Sequence, residues 1–87
     1  MIDCSHGNSD KDPLRQPAVA EAVARQVEDG ERAIRGLMIE SHLVGGRQDL
    51  GGPLVFGQSI TDACLALCDT IPVLDRLAEA ARKRRAR

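Results

Sequence analysis

At 87 residues with a net charge of −1, the chain is sized for one small domain and carries no global field to draw it to nucleic acid or to a membrane surface. Its single aromatic residue, Phe56, is a thin supply for an independent core, and its longest apolar runs fall far short of the ~20 residues a membrane helix needs. Three cysteines, an odd number, argue for reduced thiols in a cytoplasmic setting, and Asp3 and His6 interrupt the opening apolar run too early for a targeting peptide.

The first expected element is a short strand, Met1 to Ser5, followed by a loop from His6 to Asp12 rich in Gly, Asn, Ser and Asp. A helix is expected from Pro13 to Asp29. Asp12 can cap it, Pro13 is tolerated in its first turn, and Gly30 is placed to stop it. Val19, Val23 and Val27 recur at four-residue spacing beside Ala20 and Ala24, making one apolar stripe and leaving Arg15, Glu21, Arg25 and Glu28 mainly on the wet side.

A second strand is expected from Ala33 to Ser41. Alternation puts Ile34, Gly36, Met38 and Glu40 on one face and Arg35, Leu37 and Ile39 on the other, both largely apolar, as in a parallel strand covered on both sides. A long loop then runs from Leu43 to about Asp69, with glycines at 45, 46, 51, 52 and 57; loops of that length are functional or disordered more often than not. The last element is a helix from Ile71 to Arg84, capped by Thr70 or Asp69, with Leu74, Leu77, Ala78 and Ala81 as its buried stripe. Strand, helix, strand, helix is a βαβα unit of an α/β fold. Two strands and two helices cannot cover both faces of a sheet or close a barrel, and the chain enters a strand-like run at residue 1 without a turn or cap. The expectation is the C-terminal quarter of a (β/α)8 TIM barrel, residues 1–87 being one incomplete segment of a single barrel domain.

Three side chains stand next to turns where such a barrel carries its chemistry. His6 ends the first apolar run, Glu40 ends the second, and Asp62 lies in the Gly-rich stretch beyond. An imidazole and two carboxylates suit a divalent transition metal, Mn, Fe, Co or Zn, without choosing among them. Taken singly, each has a plainer reading: His6 as a loop hydrogen-bonder, Glu40 as a surface carboxylate, Asp62 as a turn cap. His42 shares a face with Glu40 if the strand continues and is read as a supporting residue rather than a ligand. Cys64 and Cys68, without further Cys or His at finger spacing, read as buried thiols. Asn8 and Ser9 read as turn formers rather than phosphate contacts, no Gly-Lys-Ser/Thr follows the loop glycines, and the basic run Arg82 to Arg87 suits a solvated helix end.

The stretches Met1-Ile-Asp-Cys-Ser-His-Gly-Asn-Ser-Asp-Lys11, Gly36-Leu-Met-Ile-Glu-Ser-His-Leu-Val-Gly-Gly-Arg-Gln48 and Phe56-Gly-Gln-Ser-Ile-Thr-Asp-Ala-Cys64 resemble the closing motifs of the class I 3-deoxy-D-arabino-heptulosonate-7-phosphate (DAHP) synthases. The resemblance implies a (β/α)8 barrel, a divalent metal, a homo-oligomer, and the condensation of phosphoenolpyruvate with erythrose 4-phosphate that opens the shikimate pathway. By position it makes His6, Glu40 and Asp62 metal ligands, with His6 and Asp62 also against substrate. A fourth family ligand, a cysteine near the first strand, has no counterpart here, because Cys4, Cys64 and Cys68 lie in other motifs; the family's Lys- and Arg-rich phosphate-binding motifs are likewise upstream. Two other classes are weighed against this: a non-catalytic remnant with weak metal binding through the three residues, and a small helical interaction module docking a partner through its basic tail.

Overall fold

The structure, a computed structural model, describes residues 1–87. In chain order it contains β1 (Ile2–Asp3), α1 (His6–Ser9), a 3-10 turn (Pro13–Arg15), α2 (Gln16–Glu28), β2 (Leu37–Met38), β3 (Ser41–His42), β4 (Val44–Arg47), β5 (Gln58–Ser59), β6 (Leu65–Ala66) and α3 (Leu67–Arg85). The mixed α/β class and the parallel strand pairing are as expected. β1 lies parallel to β2 with Ile2 opposite Leu37 and Asp3 opposite Met38, and α2 is the crossover between them.

The expected strand 33–41 is interrupted. β2 pairs with β1, the ladder lapses at Ile39 and Glu40, and β3 then pairs with β6, Ser41 opposite Leu65 and His42 opposite Ala66. The stretch 43–69, expected to be a loop, holds three more strands. β4 runs parallel to β5 through a bulge, and Gly46 and Cys64 bridge antiparallel. β6, parallel to β3, is two residues that run straight into α3 and did not announce a strand in the sequence.

Local chemistry explains the helix ends. Asp12 accepts a hydrogen bond from the Leu14 N–H at 3.0 Å, capping the 3-10 turn that leads into α2. Gly30, at φ 105°, donates to the Val27 carbonyl while Glu31 donates to the Gln26 carbonyl, each at 3.0 Å. That bond pair requires a left-handed residue at position 30, which glycine adopts without a Cβ clash. α3 begins four residues before the expected Ile71, and neither Thr70 nor Asp69 caps it. Thr70 instead donates to the Ala66 carbonyl and meets the Ser41 hydroxyl at 2.6 Å. Pro72 therefore sits inside the helix rather than at its start.

Two apolar clusters form the core. Val23, Ala24, Val27, Ile34 and Ala80 pack with Ile2, Leu37 and Leu77; Cys4, Ala20 and Val73 pack with Val19 and Ile39. The α2 stripe is the expected one. The α3 stripe is rotated: Thr70, Val73 and Ala80 are buried with Leu77 beside them, whereas Leu74 is 54% exposed and Ala78 faces solvent. The row turned to α2 is Val73, Leu77 and Ala80, which packs with Ala20, Val23, Ala24 and Val27.

Charges lock the helices. The Arg76 guanidinium reaches both carboxylate oxygens of Glu21 (2.8 and 3.3 Å) and both of Glu28 (3.0 and 2.9 Å). Two residues assigned to the wet side are thus the staple between α2 and α3. The basic tail is also largely committed. Arg84 donates to the Glu31 and Ile34 carbonyls, Arg87 donates to the Glu28 carbonyl, and Lys83 pairs with Glu79. These bonds leave the partner-docking reading of the tail few free cations.

The whole is elongated, 53 × 23 × 16 Å, with a radius of gyration of 14.5 Å against about 12 Å for a compact chain of this length. Met38, Ile71 and Leu74 are exposed, as are Leu50, Leu54 and Phe56 on the loop between β4 and β5. No helix is long and apolar enough to cross a membrane.

Arg76 holds the carboxyls of Glu21 and Glu28 below the usual glutamate range through its hydrogen bonds. A carboxylate made more acidic by folding stabilises above its unfolded pKa, about 4.3, and loses that contribution as pH falls through the folded value. The melting temperature, followed by circular dichroism, is therefore expected to drop below pH ~4.3. Arg76→Met should make the pH 6 melting temperature lower and the acid-side drop shallower; an unchanged drop would contradict the staple.

Candidate metal centre

β1 and β2 run parallel, so both end at the same edge, and the residues that follow them come out side by side. His6 follows β1 and Glu40 follows β2. Asp62 arrives on the turn between β5 and β6. The His6 Nε2 lies 2.9 Å from Glu40 Oε1 and 3.1 Å from Asp62 Oδ2. One ligand-capable atom from each of the three falls within 4.8 Å of the others. Three residues separated by 56 positions in the chain are thus brought to one point.

The other ring nitrogen of His6 is held from behind. Asp3 Oδ2 lies 2.9 Å from Nδ1, and the Ser5 hydroxyl lies 2.9 Å from the same atom. Asp3 in turn accepts hydrogen bonds from the Ser5 N–H and hydroxyl. A carboxylate on Nδ1 holds a proton there and turns Nε2 toward Glu40 and Asp62.

The short segment from the start of α1 to Lys11 takes left-handed conformations at His6 (φ 47°), Asp10 (53°) and Lys11 (60°). Such residues cost of order 1–3 kcal/mol each and persist only where surrounding bonds over-determine them. Here the Asn8 amide donates to the Asp3 carbonyl at 2.6 Å and the Lys11 N–H to the His6 carbonyl at 2.7 Å. Asn8 therefore works as the turn former it was read as, and Ser9 is buried beneath it.

The electrostatics are asymmetric. Hydrogen bonds that the protonated ring donates to Asp3 and Asp62 raise the His6 pKa. Burial pushes the Glu40 carboxyl up, while the hydrogen bond from His6 holds Asp62 below the usual carboxylate range. The three groups open on a cleft of about 210 Å³ whose rim also carries Lys11 and Arg47. Arg47 is tied to the Thr61 carbonyl and to Asp49, leaving Lys11 as the freer cation.

His42 is not part of this cleft. It is exposed, and its Nδ1 accepts the Leu43 N–H at 2.8 Å, so it does not support Glu40. The interruption of the strand at Ile39–Glu40 removes the shared face on which that expectation rested. Nor are the two later cysteines both buried: Cys64 is half-buried with its thiol donating to the Asp62 carbonyl, and Cys68 is exposed. Asp3, Ser5 and Gln16, all in contact with the cluster or its backbone, were not singled out from the sequence. Only Asp3 left a trace there, as a carboxylate three residues before the histidine.

A family model described as the DAHP synthetase I family matches residues 1–74. The chain belongs to that family. Within it, the chain is 52% identical over 91 residues to the tyrosine-inhibited phospho-2-dehydro-3-deoxyheptonate aldolase of Schizosaccharomyces pombe, covering 98% of this chain and 24% of that protein. It is 48% identical over 95 residues to the phospho-2-dehydro-3-deoxyheptonate aldolase of Corynebacterium glutamicum, covering 99% of this chain and 26% of that one. The solved structure of phospho-2-dehydro-3-deoxyheptonate aldolase from Francisella tularensis superposes with a TM-score of 0.92 at 47% identity, over 97% of this chain and 25% of that one. The chain thus spans about a quarter of the length of these DAHP synthetase I relatives.

Because Asp3 is the largest cause of the raised His6 pKa, Asp3→Asn should lower it in the metal-free chain, read by NMR titration of the imidazole C–H signals. The sign follows from the shift. A raised folded pKa stabilises fully below the unfolded value of about 6.5 and is lost as pH rises through the folded one. Asp3→Asn should therefore destabilise the chain more at pH 5 than at pH 8; an equal loss would contradict the pairing.

Proposed function

We propose that residues 1–87 are the metal-holding C-terminal segment of a 3-deoxy-7-phosphoheptulonate synthase, the closing βαβα part of a single (β/α)8 barrel domain. The proposed activity is the condensation of phosphoenolpyruvate with erythrose 4-phosphate, a transferase step that opens aromatic amino acid biosynthesis. The observation that carries this reading is the convergence of His6, Glu40 and Asp62 at the C-terminal edge of parallel strands, inside a family-matched stretch. The exposed apolar side chains of Met38 and Leu74 support a fold with further strand–helix units packed against this one.

The donor set fits a divalent transition ion: one neutral imidazole nitrogen, two carboxylates, and a carboxylate behind the imidazole. Mn, Fe, Co and Zn all suit it. When bound, such an ion supplies Lewis acidity toward the aldehyde oxygen of erythrose 4-phosphate. The chain's own residues do the rest of what is proposed here. Asp3 holds the His6 proton on Nδ1, so that Nε2 is free to donate its lone pair. Glu40 and Asp62 supply negative charge at the floor of the cleft, and His6 and Asp62 lie where substrate would enter. Lys11 and Arg47 put positive charge at the rim, matching substrates that carry phosphate. The family resemblance places further phosphate-binding groups and a fourth ligand upstream, so these 87 residues alone are expected to hold metal weakly and not to turn over substrate. Free thiols at Cys4, Cys64 and Cys68 fit work in the cytoplasm, and the family resemblance extends to a homo-oligomer.

Titration calorimetry with Mn(II) or Co(II) tests this. His6→Ala and Asp62→Ala should each abolish detectable binding, and Asp3→Asn should weaken it by ~10–100-fold. Deletion of residues 82–87 should leave it unchanged. Equal metal affinity in the His6→Ala chain would overturn the proposal.

A further inference from the structure

Glu40 sits at a gap in the sheet. The ladder between β1 and β2 ends with the Cys4 N–H donating to the Met38 carbonyl at 2.9 Å. The chain after β1 then leaves for α1, so the Glu40 backbone has no β1 residue beside it. Leu65 donates to the Glu40 carbonyl at 2.9 Å, whereas the Glu40 N–H finds its acceptor on a side chain and not on a strand.

A side chain takes that place. Gln16, the first residue of α2, accepts the Glu40 N–H on Oε1 at 2.9 Å and donates from Nε2 to the Glu40 carbonyl at 3.1 Å. The primary amide offers the same donor and acceptor that a neighbouring strand would offer. With Leu65 also bonded, both lone pairs of the Glu40 carbonyl are used. Gln16 is only 1% exposed, so its amide has given up water for these two bonds. Its backbone is carried by α2, which Arg76 fastens to α3.

We infer that Gln16 is a positioning residue for the metal centre: it fixes the Glu40 backbone in the sheet gap and thereby sets where the Glu40 carboxylate stands relative to His6 and Asp62. This rests on the metal reading of the preceding section. Two features separate the role from that of an ordinary buried glutamine. Both of its bonds go to one residue, and that residue's Oε1 is 2.9 Å from the His6 Nε2. Gln16 also lines the same cleft. Groups acting on a reactive centre must be held to within a fraction of an ångström, and a backbone released from one side does not meet that demand.

The test is a double-mutant cycle on Co(II) affinity and on the visible absorption of bound Co(II), using the full 87-residue chain. Gln16→Met keeps the length and removes both bonds. It should weaken Co(II) binding by ~10-fold or more in the otherwise unchanged chain, the scale for outer partners of metal ligands, and alter the Co(II) spectrum. In the Glu40→Asp background, whose shorter carboxylate keeps a measurable uptake but no longer stands where the backbone sets it, Gln16→Met should cost clearly less affinity, because the group it acts through is already displaced. An equal loss in both backgrounds, or no loss in either, overturns the inference. If Gln16→Met loses its helical circular dichroism, Gln16→Glu, which keeps the length and an acceptor for the Glu40 N–H, is read in the same cycle with the same expected pattern at smaller size. Absence of Co(II) uptake by the unmodified chain would overturn the metal reading itself, a different result from uptake that ignores Gln16.

Discussion

Everything at the site depends on the parallel register of β1 and β2. Two rungs, Ile2 against Leu37 and Asp3 against Met38, make both strands end at one edge, and the next residues out of each are the ones that meet. An antiparallel pair would send His6 and Glu40 to opposite ends. Strands of two residues cannot hold a register alone. The crossover helix α2 does so, by burying Val23, Ala24 and Val27 against Ile34 and Ala80 and by being stapled to α3 through Arg76. A core containing no aromatic side chain thus relies on aliphatic stripes and one doubly bidentate guanidinium.

The site itself is an arrangement that folding alone would not favour. Two carboxylates approach one imidazole nitrogen, and like charges at that range disfavour each other's ionisation. Glu40 is pushed up chiefly by burial, with the Asp62 charge adding to it, while the hydrogen bond from His6 holds Asp62 down. Three left-handed residues in the adjoining segment add backbone strain. Strain and like-charge crowding concentrated at one cleft, with a built support of Asp3 and Ser5 behind the ring, match a place kept for binding rather than for stability.

Much of this was legible in the sequence. Gly30 ends α2, the valine stripe faces its core and Asp12 caps the 3-10 turn leading into it, all by local chemistry, and local chemistry survives folding. His6, Glu40 and Asp62 stood out because each follows an apolar run or a turn. What escaped was tertiary. β6 is two residues long and gains its strand character only by lying beside β3. Thr70 and Asp69 have the composition of caps, yet α3 starts before them, directly after β6, and the row it buries is set by packing on α2. His42 lost its expected place because the strand lapses at Glu40. Gln16 carries no signal in the sequence, and only the gap beside Glu40 gives its amide a buried role.

The most direct measurement is two-dimensional NMR of the labelled chain with substoichiometric Mn(II), whose unpaired electrons broaden nearby signals. The expected result is selective loss of signals in three separated stretches, around residues 6, 40 and 62, with the C-terminal half of α3 left sharp. Broadening centred instead on exposed acids such as Asp29 and Glu31, with residues 6, 40 and 62 unaffected, would contradict a metal centre formed by His6, Glu40 and Asp62.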